Sequence, residues 1–437
     1  MRPPARLLLG AGCATVLLLP GAAPALAAAP APALPAYPAH PHAAVQAAYG
    51  HAAVQTVDGH TAVQAADGTK GQELPGMPSA LDPQDKDAPC TLASKETARK
   101  QDWSRQRLDL DRVHGHGTGS GVTVALIDTG VAPGAAGLDG RVTAPGDAAD
   151  DCVGHGTFLA GLIAGDGGDS PRVAGVAPGA RILALRGTDR FGAADAARVT
   201  AAVRAATDAH ADVIAVGVAL PRRDAQLTRA VADARRAGAV IVAAATPDPP
   251  GAGSGDVPSR TYWPAGEPGV LSVADMLPAG TRPDDSLPTR GIDLAAPGAG
   301  VVSGGPRGDG HYLGGGASVA AAYAAGTAAV VRAAHPDDSP DTVVRRLTAT
   351  AYPADIPQLD PYAAVTTVLS DAGAPAGRAA APVTVRDTAA ADHATGRATL
   401  FVLLGSAAVL AVLWTGYALS RARRRGWRPP TPAISED

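Results

Sequence analysis

The chain has 437 residues, a net charge of −4 and a 46% apolar fraction dominated by aliphatic side chains, with only 3% aromatic. That is enough apolar chain for a sizeable core. With 37 Lys and Arg against 41 Asp and Glu and no broad basic patch, nucleic acid is excluded as the main partner, because phosphate neutralisation needs clustered cations.

Residues 1–27 read as an export signal. Arg2 and Arg6 precede an apolar run from Leu7 to Pro20, and Ala25-Leu26-Ala27 offers small residues for cleavage. Residues 28–90 form an Ala-, Pro- and His-rich extension with three consecutive nine-residue units, HAAVQAAYG, HAAVQTVDG and HTAVQAADG, from His42 to Gly68. His42, His51 and His60 recur evenly, but imidazoles on an Ala-rich segment lack the outer shell that fixes a metal ligand. The repeat is expected to be low-complexity chain rather than a metal site.

The body, residues 91–370, alternates strand-like apolar runs with Ala-rich helical ones. VTVALID, DVIAVGVAL and GAVIVAAAT are predicted as buried strands, with DAARVTAAVRAATDAH and AQLTRAVADARRAG as helices between them. This alternation predicts an α/β fold, a doubly wound parallel sheet flanked by helices, with functional groups beyond the carboxyl ends of the strands.

Three residues stand out in that frame. Asp128 ends the first strand in Asp-Thr-Gly, a motif that in isolation reads equally well as a turn cap. His155 directly precedes a helical pattern with Phe158, Leu159, Leu162 and Ile163 on one face. His116 repeats the His-Gly-Thr motif, but in a Gly-rich turn before the strand, so His114 and His116 are expected to be solvated loop residues. Ser318 follows Gly314, Gly315 and Gly316 at the amino end of a predicted buried helix, Ala317 to Ala334, where its own N–H could face an anion.

Beyond the body, residues 371–397 read as an Ala- and Pro-rich tether. Residues 398–419 carry no charge and, at a rise of 1.5 Å, extend for about 33 Å, the thickness of a bilayer core. Arg421, Arg423, Arg424, Arg425 and Arg428 follow. The basic tail, 420–437, is therefore expected to be cytoplasmic and the body extracytoplasmic, with membrane attachment through one helix.

The order Asp128, His155, Ser318 on such a sheet resembles a subtilisin-like serine protease, and more narrowly a mycosin, the membrane-anchored protease associated with type VII secretion in actinobacteria. The narrower resemblance rests on DWSRQRLDLDRV before the first strand, on the Cys three residues before His155 in DDCVGHGT, and on the C-terminal anchor. VAGVAPGARILALR, YWPAGEPGVLSV and IDLAAPG extend it over about Asp102 to Leu369.

The resemblance implies peptide-bond hydrolysis through an acyl-enzyme. Ser318 would be the nucleophile, His155 the general base and acid, and Asp128 the group that orients the imidazole. It implies no cofactor, a polypeptide substrate pairing with Gly217, Val218 and Ala219, and type VII secretion membrane components as partners. No metal site is expected. Cys13 leaves with the signal, so Cys90 and Cys152 remain as one possible disulfide in an exported chain, two free thiols being the alternative.

Departures from the family pattern cluster at one place. The family has an oxyanion-binding Asn after AAAG, whereas this chain reads AAATPD and contains no Asn. Thr246 then falls at the Gly and Pro247 at the Asn, which removes a donor whose loss typically costs about 10²- to 10³-fold in turnover. The Thr246 hydroxyl is a possible substitute. Ala317 and Ala322 replace the Thr before the nucleophile and the Pro after it. Two readings follow: an active endopeptidase with weakened oxyanion stabilisation, or a pseudoprotease that binds within a secretion complex.

Overall fold

A computed structural model of the chain describes residues 54–57, 60–63, 73–85, 89–167, 173–248, 259–284, 286–369 and 389–426. The expected signal segment, His42, His51 and most of the linker lie outside these. Within the repeats, β1 (Val54–Val57) pairs antiparallel with β2 (His60–Val63), a local pairing that the low-complexity reading did not anticipate.

A seven-stranded, all-parallel sheet forms the centre, built from β3 (Thr123–Asp128), β4 (Val142–Thr143), β5 (Arg181–Arg186), β6 (Val213–Val216), β7 (Val240–Ala244), β8 (Leu271–Met276) and β9 (Leu294–Pro297). The strand order is β4-β5-β3-β6-β7-β8-β9. The chain thus leaves β3, builds the sheet outward on one side through β5, then returns to β3's other edge with β6. A crevice opens where the winding reverses, at the carboxyl end of β3.

These strands are apolar on both faces because both faces are covered. Val124 and Leu126 of β3 pack into the larger core with Phe158 and Tyr323, while Ala125 and Ile127 face the opposite core with Val199 and Leu227. Three layers result.

Helices α1 (Trp103–Leu108) and α2 (Leu110–His114) precede β3. One face of the sheet carries α3 (His155–Ala164) and, after β9, α6 (Ala317–Ala334); the other carries α4 (Ala196–Asp208) and α5 (Ala225–Arg236). The last two start where Asp195 and Asp224 cap them, each carboxylate accepting two backbone N–H bonds. Helix α6 is buried from Ala317 to Val331 and packs on β6 to β9, its alanines allowing close approach to the sheet. Helices α7 (Pro340–Ala349) and α8 (Pro361–Thr366) complete the unit, which ends at Thr367.

The sequence reading carries the strand after α4 through to Leu220, but β6 ends at Val216. Gly217 N–H still donates to the Ile127 carbonyl of β3 at 3.1 Å, whereas Leu220 exchanges backbone hydrogen bonds with Trp263 at 2.7 and 2.9 Å, so Val218 and Ala219 lie between these pairings without a neighbouring strand among the described residues.

The segment before α1 is strapped to the body. Leu313, in the antiparallel pair β10 (Val301–Gly304) and β11 (His311–Gly314), accepts from Met77 N–H and donates to the Pro75 carbonyl. Cys90 is joined to Cys152 by a disulfide that closes a separation of 62 residues. Arg105, 1% exposed, pairs with Asp102 at 2.7 Å and donates to the carbonyls of Val173, Ala174 and Val302, so its buried charge is fully partnered.

The second unit, Val368–Asp437, contains α9 (Ala389–Arg424). Its Phe401–Arg424 stretch contains an 18-residue window with a mean hydropathy of 1.9 and is long and apolar enough to cross a membrane, overlapping the expected span of 398–419.

Candidate active site

Each functional side chain is delivered by the end of a regular element. Asp128 is the last residue of β3, at the reversal point of the sheet. His155 opens α3, and Ser318 is the second residue of α6. His155 Nδ1 lies 2.8 Å from Asp128 Oδ1, and its Nε2 lies 3.1 Å from Ser318 Oγ. All three are buried, at 1%, 5% and 0% exposure respectively, so their interactions are strengthened by the low local dielectric.

Gly217 makes this arrangement possible. A Cβ there would collide with Asp128 Oδ2 and with Leu159. The residue just past β6 therefore has no side chain because the carboxylate fills its space. Val218 and Ala219, beside it, are partly exposed at the strand edge.

Asp151, which the sequence reading did not single out, ties the start of α3 to the loop after β3. Its Oδ1 accepts from Thr129 Oγ1 (2.8 Å) and Gly154 N–H (2.7 Å). Its Oδ2 accepts from the Thr157 N–H (2.8 Å) and hydroxyl (2.7 Å). Thr129 Oγ1 in turn accepts from Gly156 N–H at 2.8 Å. Thus the backbone on both sides of His155 is pinned to the residue following Asp128. Burial pushes the Asp151 carboxyl upward, against the downward pull of these hydrogen bonds. The disulfide fixes the neighbouring Cys152.

The oxyanion side differs from the expectation. From the AAATPD segment, the residue that reaches Ser318 is Asp248 rather than Pro247, and Thr246 is buried. Asp248 directly follows Pro247, the residue that the resemblance aligned with the Asn, so a carboxylate faces Ser318. Asp248 Oδ1 accepts from Ser318 N–H at 3.1 Å. Its Oδ2 lies 2.5 Å from the Ser318 hydroxyl and 3.0 Å from His155 Nε2. Room for it comes from Gly316, whose φ of +122° disfavours a side chain and where a Cβ would strike Asp248 Oδ1.

Burial lowers the His155 pKa. The charge and hydrogen bond of Asp128, with those of Asp248, outweigh it and raise the imidazole well above its ordinary value. Farther back, Asp275 is pushed up to about 6, chiefly by burial, with Arg282 pulling it down and the Asp248 charge pushing it up. Arg282 lies 3.6 Å from Asp275.

His116 stays apart from this site, edge-on to Tyr362. His114 is not a solvated loop residue: it ends α2, half-buried, with Nε2 3.0 Å from the Gly175 carbonyl. Among the described residues, no group of three or more His, Cys, Asp or Glu is placed to hold a metal ion.

A doubly wound α/β sheet with Asp, His and Ser converging at its switch point defines the class of subtilisin-like proteins. The chain belongs to the subtilase family (Peptidase S8), whose profile matches residues 119–394. Mycosin-3 of Mycobacterium tuberculosis is 31% identical over 397 residues, covering 75% of this chain and 85% of that protein. The solved structure of the MycP3 protease from the type VII (ESX-3) secretion system matches with a TM-score of 0.54 at 33% identity, over 64% of this chain and 92% of that one. The periplasmic assembly from the ESX-5 inner membrane complex contains a chain with a TM-score of 0.55 at 25% identity, covering 68% and 92%.

Proposed function

We propose that this chain is an exported, membrane-anchored serine endopeptidase associated with type VII secretion. Residues 91–370 form its peptidase domain, tethered by 371–397. The observation that carries the proposal is the relay from Asp128 through His155 to Ser318, with hydrogen-bond distances of 2.8 and 3.1 Å at the switch point of the sheet. In this reading Ser318 Oγ attacks the scissile carbonyl while His155 Nε2 accepts its proton, and Asp128 orients the imidazole and stabilises its charge. Just past Gly217, the backbone of Val218 and Ala219 is free of a neighbouring strand among the described residues and suits an extended peptide.

Membership of the subtilase family supports hydrolysis of a polypeptide. The likeness to a chain of the ESX-5 assembly supports type VII membrane components as partners. The Arg cluster in the last turn of α9 and just beyond it supports a cytoplasmic C-terminus with the peptidase outside. A fluorophosphonate probe should label the full-length protein in membranes at Ser318 and leave Ser318→Ala unlabelled. Absence of labelling under all conditions would exclude the enzyme.

The second reading, a feeble protease that serves mainly as a binding subunit, is favoured by one observation. A carboxylate stands against the nucleophile's N–H, where a transition-state oxyanion needs a donor.

A further inference from the structure

Asp248 belongs to no part of the relay, yet it touches two of its members. Its side chain is 5% exposed and spans the Ser318 N–H, the Ser318 hydroxyl and His155 Nε2. In acyl transfer the nucleophile's own N–H stabilises the oxyanion, so an acceptor held there stands where the new negative charge must come. With no substrate bound, that place suits a carboxylate, because it lies at the amino end of an 18-residue helix. Once a carbonyl oxygen turns negative, two anions would compete for the same donor.

We propose that Asp248 is a two-state residue of this site: as a carboxylate it latches Ser318 and His155 closed, and as a carboxylic acid it donates its O–H to the oxyanion. The proposal rests on the protease reading and deepens it.

The proton required comes from within the site. In the latched state the imidazolium Nε2–H of His155 donates to Asp248 Oδ2, 3.0 Å away, and the Ser318 hydroxyl donates to the same oxygen. Moving the proton from Nε2 to Oδ2 leaves a neutral imidazole and a neutral carboxylic acid, with net charge unchanged. The Ser318 hydroxyl then turns to Nε2, 3.1 Å distant. As the Oγ–C bond forms, the hydroxyl proton passes to Nε2 and the carbonyl π pair moves to oxygen. The Ser318 N–H and the Asp248 O–H both donate to that oxygen.

Latched and competent forms carry the same number of protons. Their ratio is therefore fixed between the two titration steps of the pair, and activity follows a bell-shaped profile. On the acid side both groups are protonated and the base is lost. On the alkaline side Asp248 stays ionised and the donor is lost. The charged groups around Asp248 are His155 of α3, 3.0 Å away, with Asp128 of β3 on the far side of its ring, and Asp275 of β8, on which the Asp248 charge acts and which pairs with Arg282 at 3.6 Å.

The test compares pH profiles of fluorophosphonate labelling and peptide turnover for full-length wild type, Asp248→Asn and Asp248→Ala. Asp248→Asn supplies a permanent donor and no latch. It should turn over about 10²-fold faster near neutral pH and keep only the acid limb, moved to lower pH because His155 loses one of its two carboxylates. Asp248→Ala, lacking both latch and donor, should fall between the two in rate and show the same single limb. If Asp248→Asn retains the wild-type rate and profile while Ser318 still labels, the latch is overturned and the protease reading stands. If folded wild type and variants all fail to label, the protease reading itself falls, and the latch with it. Should the variants not fold, wild type decides: two limbs support the latch, and a single rise with pH overturns it.

Discussion

Asp128 and His155 meet inside a frame of buried hydrogen bonds, in which Asp151 accepts four and Thr129 relays a fifth. Ser318, on the other side of the same imidazole, presents its N–H and hydroxyl to a carboxylate. The Asp128–His155 half is thus held by a dense hydrogen-bond frame, while the Ser318 half is filled by the protein's own carboxylate. The difference teaches that three residues at relay distances do not define a working site. What faces the nucleophile's N–H matters as much, because the oxyanion contributes much of the barrier lowering in acyl transfer.

The comparison can be broken most directly from the acid–base side. Asp128→Asn keeps the shape but favours the wrong imidazole tautomer, and should lower kcat by about 10⁴-fold. The loss should be measured by active-site titration and turnover in the Asp248→Asn background, where the starting rate is highest. A drop of tenfold or less would mean that the frame around His155 does not carry the chemistry.

Removing the clamp on the same half comes next. Cys90→Ser releases a closure of 62 residues, which the chain-entropy model values at about 4 kcal/mol. A denaturant melt of the full-length protein should show that loss, together with slower labelling at Ser318, because the loop before His155 loses its tether.

Asp151→Ala isolates the hydrogen-bond frame itself. It leaves the N–H groups of Gly154 and Thr157 and the Thr129 hydroxyl without their acceptor, at a cost of about 3 kcal/mol or more, since buried donors are expensive to orphan. Labelling should fall along with the melting temperature. A stable, slowly labelling variant would point to positioning alone, and an unchanged one would remove Asp151 from the account.

The smallest effect lies behind the oxyanion half. Asp275 has an ordinary value of 3.8 and is pushed up to about 6 in the fold, so the folded state binds more protons than the unfolded state between those values. Stability from this group is therefore present at acid pH and falls as pH rises through about 4 to 6, by on the order of 3 kcal/mol. Asp275→Asn should flatten that part of the stability profile. The sign for His155 is the same: its raised value contributes stability below the ordinary imidazole range, and this is lost as pH rises through the folded value.

Local pattern was sufficient to read several elements from the sequence. The runs at Val124 to Ile127 and Val240 to Ala244 are apolar at every step, which a sheet covered on both faces explains. The helices at 196–208, 225–236 and 317–334 follow from Ala-rich periodicity bounded by Asp or Gly. The same reading brought out Asp128, His155 and Ser318, because each sits at the end of such an element. It extended β6 to Leu220, because apolar character continues past the point where the hydrogen-bond partner ends.

Tertiary structure alone decided the rest. Asp248 is one more carboxylate in a loop until folding brings it against Ser318, 70 residues away along the chain. Asp151 shows its role only when the loop after β3 and the start of α3 are pressed together. Periodicity records which face of an element is buried. It carries no record of which loop atoms meet across the crevice, since that depends on distances set by the whole sheet.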